Sequence, residues 1–425
     1  MSDAQIQLIE VSRLRVGLYI HLDLGWMEHP FSLNSFKIRN QEQIDILRSL
    51  GVARVRYSPD KSDCLPAPDE LDIDVTTKAP SWEAISPAMQ AKQRRRELLA
   101  NQRASLQQCE RQFGEATKVF KQVLKTVHAQ PANAAKLADA MMDGFIGDML
   151  GDREAAIRLL SEKSGEESSL HAINVVVISL LLAKVVGMVG NELRDLGLGA
   201  MLHDVGKIEL PDRLRWKDDH FTPAERQLYQ AHVNHGVELA RKMGLSTGAV
   251  LVIGQHHECV DGSGYPLHLP GTKQTMASRI VALVNQYDNL CNPANPAMSM
   301  TPHEALSVMF AQMKAHFDVT LMAAFIRMMG VYPPGSVVQL NDERFALVVS
   351  VNSARPLKPR VIIHDSEVPK DEAIVVDLEQ EPDLGIQRSL KPMQLPKATY
   401  DYLSPRKRMC YFFERAREAT GEGGE

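Results

Sequence analysis

Apolar and polar positions change rhythm several times along the chain. Near the start, Val16-Gly17-Leu18-Tyr19-Ile20 reads as a strand. Asn40-Gln41-Glu42-Gln43 forms a start resembling a capping box, and Ile44, Ile46, Leu47 and Leu50 follow at helical spacing. Gly51 ends that helix, and Val52, Val55 and Tyr57 return as a strand. A small α/β module over residues 1–65 is the expectation, with Trp26, His29, Pro30 and Phe31 as a packed aromatic corner. Residues 59–83 are rich in Pro, Asp and Ser and read as linker.

Leu99, Leu106, Phe113, Phe120 and Val127 then recur every seven residues, and Cys109, Ala116 and Val123 each fall three after a member of the series. This spacing predicts a helix over about 86–129 packed on a partner helix, with a homodimer through residues 90–130 as one way to supply the partner. Gln102 and Gly114 interrupt the seam. Residues 133–163 read as further helix, with Leu137, Met141, Phe145 and Met149 at four-residue spacing. Residues 66–150 are therefore assigned as linker and helical connector.

Ala172 to Gly190 is nearly long enough to cross a bilayer, but Asn174, Ser179 and Lys184 interrupt it and His171 opens it. A helix buried in a protein core, and no membrane span, is expected. Beyond Pro333-Pro334-Gly335, Val337, Val338 and Leu340 pair with Phe345, Leu347, Val349 and Val351 as a hairpin, and Val361-Ile362-Ile363 adds a third strand. The fold class is thus mainly α. An all-helical domain spans 151–332, a small β appendage 333–385 and a C-terminal tail 386–425, disordered at 421–425.

Composition narrows the class. A chain of 425 residues with 44% hydrophobic and 24% charged positions is an ordinary globular protein of two or three domains. The net charge of −5 gives no support for a nucleic-acid partner. The basic run Lys92-Gln93-Arg94-Arg95-Arg96 has no interleaved aromatic residue and reads as a solvated helix face. The 5 cysteines are scattered, without a CxxC pair, which fits a reducing cytoplasm.

Histidine is where the chain departs from the ordinary: 8 of its 14 lie between residues 171 and 268. Glu167 and His171 are four apart and share a helix face. His203 and Asp204 are adjacent, as are His256 and His257, and His232 lies between the pairs. One such residue alone is more often a satisfied core histidine. The joint pattern points to two or three divalent transition-metal ions, Fe or Mn first, with Ni, Co and Zn also compatible. Lys207, a turn after His203, can place an ammonium on a phosphate. His220, His235 and His268 are outside this pattern, though His235 is three after His232 and competes with it.

These residues resemble a known family. His203-Asp204-Val205-Gly206-Lys207-Ile208-Glu209-Leu210-Pro211 is similar to the HDxGKxxxP signature of the HD superfamily. His256-His257-Glu258 followed by Asp261-Gly262-Ser263-Gly264-Tyr265-Pro266 is similar to the HHE and DGxGYP elements of HD-GYP cyclic di-GMP phosphodiesterases. The resemblance covers about 155–330. Gly17-Leu18-Tyr19 and His29-Pro30-Phe31 resemble a domain of unknown function that often precedes HD-GYP domains. The resemblance implies metal roles for His171, His203, Asp204, His232, His256 and His257, and for Glu167 at a third metal. It implies a scissile-phosphate contact for Lys207 and a site-shaping, substrate-facing loop at Gly264, Tyr265 and Pro266. It also implies cyclic di-GMP as substrate, pGpG or GMP as product, and a GGDEF-domain or other signalling partner.

Two departures stand out. Asn285 occupies the place of the family's usual metal-binding aspartate, so one metal should be held by an uncharged amide oxygen. Asp288, three residues on, is expected to face elsewhere on the helix. The segment after Cys291 also lacks the family's arginine. The rival to an active phosphodiesterase is therefore a weakened member acting as a cyclic di-GMP receptor or adaptor. An HD-type hydrolase of another nucleotide and a redox di-iron enzyme stand behind it.

Overall fold

The computed structural model describes residues 7–22, 31, 35–49, 52, 54–66, 87–150, 155–161, 167–215, 221–352 and 355–415. The chain divides into two units, Met1–Ile85 and Ser86–Glu425.

In the first unit, β1 (Gln7–Glu10), β2 (Tyr19–His21), β3 (Ser35–Lys37) and β4 (Arg54–Tyr57) form an antiparallel sheet in the order β1-β4-β2-β3. Its helix α1 (Gln41–Ser49) starts where the sequence places it. Asn40 Oδ1 accepts from Gln43 N at 3.1 Å, and the Gln43 side chain reaches back to Arg39 N. Ile44 and Leu47 from α1 meet Ile9, Leu18, Ile20 and Val55 in one apolar core. Trp26, His29 and Pro30 lie outside the described residues; Phe31 packs on Phe36. Residues 67–83 of the expected linker also lie outside them.

The second unit opens with α2 (Pro87–Thr126), 40 residues long and so about 60 Å. It is followed by α3 (Pro131–Leu150), β5 (Ala155–Leu159) and α4 (Glu167–Val185). Next come α5 (Gly190–Leu202), α6 (Asp212–Arg215), α7 (Pro223–Gln230), α8 (His232–Met243), α9 (Thr247–Gln255) and α10 (Met276–Cys291). Helices α11 (Pro302–Gln312) and α12 (Val319–Met329) close the helical part. Strands β6 (Val337–Leu340), β7 (Phe345–Asn352), β8 (Arg360–Ile363), β9 (Val375–Asp377) and β10 (Ile386–Leu390) come next, before α13 (Lys397–Leu403) and β11 (Tyr411–Arg415).

Helix α4 is apolar on all sides, and Val175 to Leu180 are buried without exception, as a helix at the centre of a core should be. Among the described residues no helix is long and apolar enough to cross a membrane. The heptad seam of α2 is filled by the chain itself. Phe113, Phe120 and Val123 are buried with α3 residues Met141, Met142 and Phe145. Phe113 and Phe145 both meet Phe412 of β11 edge-on, at 6.4 and 5.6 Å.

Three expectations are corrected here. Residues 155–159 form a strand rather than the end of a helix, because their partners, β7 and β11, lie far away in sequence. The segment 386–425 is not a tail: β10 pairs with β6 and β11 with β5, in a seven-stranded sheet. The β element is not an appendage either, since Val337, Leu347, Tyr411 and Phe412 share one core with α2, α4 and α10. Residues 421–425 lie outside the described residues.

Candidate metal centre

Helix ends build the site. His203 caps the C-terminus of α5, His256 caps that of α9, and His232 follows the end of α7. A helix C-terminus carries carbonyls without intrahelical partners. Each histidine uses one, three residues back: His203 Nδ1 donates to Ala200 O (2.7 Å), His232 Nδ1 to Tyr229 O (2.6 Å) and His256 Nδ1 to Ile253 O (2.7 Å). The proton is thereby fixed on Nδ1, and Nε2 is left as a lone pair. His171, on α4, donates Nδ1–H to Asp288 Oδ2 instead, at 2.6 Å.

Glycines set the close approaches. A Cβ on Gly206 would lie 2.0 Å from His232 O and 2.4 Å from Gly236 N, so the turn after Asp204 packs its bare backbone on the start of α8. A Cβ on Gly199 would strike the Val252 side chain at 2.4 Å, which lets α5 and α9 bring their terminal histidines together. The His203 and His256 rings end 5.0 Å apart.

The freed nitrogens converge on Asp204. Its Oδ2 lies 3.3 Å from His203 Nε2 and 3.7 Å from His171 Nε2. Its Oδ1 lies 3.4 Å from His232 Nε2 and 3.7 Å from His256 Nε2. His171 Nε2 and His203 Nε2 are 3.1 Å apart, and His232 Nε2 and His256 Nε2 3.4 Å. With each of these Nδ1 atoms protonated, the contacts set lone pair against lone pair, which a cation between them would satisfy. Asp204 Oδ1 and His257 Nε2 are buried with no hydrogen-bond partner among the described residues. Two donor groups result, His171/His203/Asp204 and Asp204/His232/His256/His257, sharing the carboxylate. Imidazole and carboxylate donors at this spacing fit two divalent transition metals.

The electrostatics keep the donors ready. Burial pushes His203 down to about 4 and His232 down to about 3, against an opposing pull from Asp204, and it holds His257 well below its ordinary value. Burial would raise the Asp204 carboxyl, but Lys207 and His203 outweigh it and hold it well below the usual range. Lys207 Nζ sits 2.7 Å from Asp204 Oδ2 and 5.3 Å from the centre of the Tyr229 ring.

The Gly-Tyr-Pro loop forms one wall. Glu258 is buried, and its two carboxylate oxygens accept from Leu267 N (2.7 Å) and Leu269 N (2.8 Å). Tyr265 N donates to His257 O, and the Tyr265 ring stacks on His257 with centroids 4.5 Å apart. Gly264 lies against backbone, where a Cβ would come within 2.3 Å of Cys259 N. The Tyr265–Pro266 peptide is cis.

Of the residues singled out from the sequence, His171, His203, Asp204, Lys207, His232, His256 and His257 come together, with Tyr265 against His257. Asn285 is buried on α10, and its Oδ1 accepts from Asn289 Nδ2 at 3.0 Å. The Glu167 side chain and His220 lie outside the described residues. Asp288 does not face elsewhere: it is fully buried against His171. Sequence reasoning missed this, and with it Asn174, Asn292 and Glu258. Helical spacing puts His171 and Asn174 on one face of α4, and Asp288 and Asn292 on one face at the end of α10, but only the packing of α10 on α4 brings the two faces together.

Residues 6–138 match a domain of unknown function, residues 153–321 an HD domain, and residues 337–398 a KOW domain associated with the HD domain. The chain is 26% identical to a cyclic di-GMP phosphodiesterase of Pseudomonas aeruginosa, over 87% of this chain and 88% of that protein. It is 33% identical to the cyclic di-GMP phosphodiesterase response regulator RpfG of Xanthomonas campestris, over 35% of this chain and 39% of that protein. It is 30% identical to a 3'3'-cGAMP-specific phosphodiesterase of Vibrio cholerae, over 38% of this chain and 31% of that protein. With paired His-Asp and His-His elements and a Gly-Tyr-Pro loop around one shared carboxylate, residues 153–321 carry an HD domain, and these elements are similar to those of the HD-GYP type.

Proposed function

We propose that this chain is a metal-dependent phosphodiesterase that hydrolyses cyclic di-GMP to pGpG or GMP in the cytoplasm. The observation that carries the reading is the convergence of four histidine Nε2 atoms on the two oxygens of Asp204, with Lys207 alongside. A relative aligned over most of both chains is a cyclic di-GMP phosphodiesterase, which favours hydrolysis over a receptor role.

His171 and His203 would hold one metal, His232, His256 and His257 the other, and Asp204 both. Metal ions bound there supply a nucleophile at neutral pH and draw charge from the phosphate. The protein's own part is positional. Asp204 fixes the separation of the two sets of nitrogens. Lys207 brings a fixed positive charge to the side of Asp204, where it can bear the charge that builds on the phosphate oxygens. His203 and His232 stay neutral and available as ligands down to acid pH. The loop at Gly264, Tyr265 and Pro266 walls the His257 side, where substrate or a GGDEF-type signalling partner would meet it.

Fe or Mn is the proposed metal, with Ni, Co and Zn as alternatives. A third ion would draw on Glu167, and Asn285 would serve as a neutral ligand; Asn285→Asp raising the metal content per chain is the test of that position. A homodimer would use the exposed residues 90–98, because the rest of the α2 seam is occupied by α3 and β11.

The experiment is anaerobic purification with metal analysis, then turnover of cyclic di-GMP and 3'3'-cGAMP by wild type and Asp204→Ala. Two or more transition metals per chain and cyclic di-GMP turnover lost in the variant support the reading. Preference for 3'3'-cGAMP would move the substrate to the hybrid dinucleotide. Metal and cyclic di-GMP binding without turnover would make the chain a receptor.

A further inference from the structure

Asp288 is a carboxylate with no exposed surface, and its described contacts include neither a lysine nor an arginine. Oδ2 accepts from His171 Nδ1 at 2.6 Å. Oδ1 accepts from Asn174 Nδ2 at 2.8 Å and from Asn292 Nδ2 at 2.9 Å. The second hydrogen of each amide goes to a single acceptor, Met409 O, at 2.8 and 2.9 Å. The amide oxygens complete the set: Asn292 Oδ1 accepts from Met409 N at 2.7 Å, and Asn174 Oδ1 from Tyr411 N at 2.9 Å. Every donor and acceptor of both asparagine side chains is thus used, and each is shared between Asp288 and the main chain leading into β11.

Asp288, Asn174 and Asn292 are buried and His171 is partly buried, and such a network is stable only when every member is satisfied. β11 in turn is held by β5 over five residue pairs and by the Tyr411 hydroxyl, which donates to Pro334 O at 3.1 Å. His203, His232 and His256 take their orientation from helix carbonyls, which side-chain changes leave in place. His171 alone among these four takes it from a side chain, one that also brings a negative charge to its imidazole.

We propose that Asp288 is a positioning residue for His171, and that main chain Met409–Tyr411 holds Asp288 through Asn174 and Asn292. Metal affinity at the His171/His203/Asp204 corner then depends on the seating of the last strand. The inference rests on the metal-centre reading but not on the identity of the substrate.

The test is a Mn²⁺ titration of the metal-stripped full-length chain by calorimetry, without nucleotide, with thermal melts alongside. Wild type should show two sites. Asp288→Asn should weaken one of them by about 10- to 100-fold and leave the other unchanged. Asn292→Ala keeps the carboxylate and removes its tie to Met409; it should weaken the same site by a smaller factor, and Asp288→Glu should recover part of the loss. Wild-type affinity at both sites in Asp288→Asn, whatever its melting temperature, overturns the positioning role. Wild-type affinity in Asn292→Ala overturns the part assigned to the strand. Two Mn²⁺ sites that respond as described, in a wild type that hydrolyses no cyclic dinucleotide, would sink the phosphodiesterase reading and leave this one standing.

Discussion

Lys207 Nζ stands 2.7 Å from Asp204 Oδ2, on the oxygen that also faces His171 and His203. The pair lies within one short turn, which holds the ammonium against the shared carboxylate. Lys207→Met should therefore retain metal and lose turnover by about 10²–10³-fold, the cost of removing one preorganised charge donor. Metal content and kcat measured on the same preparation check it. Loss of metal in step with activity would instead make Lys207 part of the scaffold.

Acid should destabilise the metal-free protein in a defined window. His203 and His232 are pushed down to about 4 and about 3 by burial, from an ordinary 6.5. Unfolding returns them to the ordinary value, so between these limits the unfolded chain binds more protons and stability falls as pH falls. The contribution is whole above about pH 6.5 and is lost progressively down to about pH 3–4. Each tenfold difference in proton affinity between the folded and unfolded chain is worth about 1.4 kcal/mol. Urea melts of the metal-stripped chain from pH 7.5 to 4.5 should show midpoints falling below pH 6.5. His203→Gln should flatten the slope; an unchanged slope would remove His203 as its source.

Glu258 clamps the wall of the site through two backbone amides nine and eleven residues ahead. Glu258→Ala would strand both Leu267 N and Leu269 N, at about 1–3 kcal/mol for each group left unsatisfied. Hydrogen exchange over residues 262–269 should accelerate while metal content holds. Protection equal to wild type would show that the loop is held by other contacts.

Arg158 and Glu414 form a buried ion pair at 3.0 Å between β5 and β11. Glu414→Ala leaves a buried guanidinium without its charge partner and should cost about 3–5 kcal/mol. Replacing both, Arg158→Met with Glu414→Leu, should recover much of that loss. A double-mutant cycle by chemical denaturation decides it, and equal losses in the single and double variants would refute the pairing.

The α1 start at Asn40 and the helical core run after His171 were legible because capping and apolar periodicity are local. The metal centre was legible for a different reason: few residue types can ligate a transition metal, and His203-Asp204 and His256-His257 concentrate them. Asp288 was not legible. Its part depends on α10 packing on α4 so that it meets His171, whereas spacing along α10 alone, counted from Asn285, points it away.

By itself the sequence determined that the chain is mainly helical, that it carries the histidine and aspartate elements of an HD domain, and that a Gly-Tyr-Pro loop accompanies them. Each of these is written in short-range spacing or in residues whose chemistry has few other uses. Only the tertiary structure decided that the seam of α2 faces its own chain, that residues 386–415 complete a sheet, and that Met409 and Tyr411 reach the metal centre through two asparagines. The Asn174 contacts join residues more than 200 positions apart. A strand whose partner is so distant, or a buried amide whose partner is main chain, has no signature in the residues that flank it.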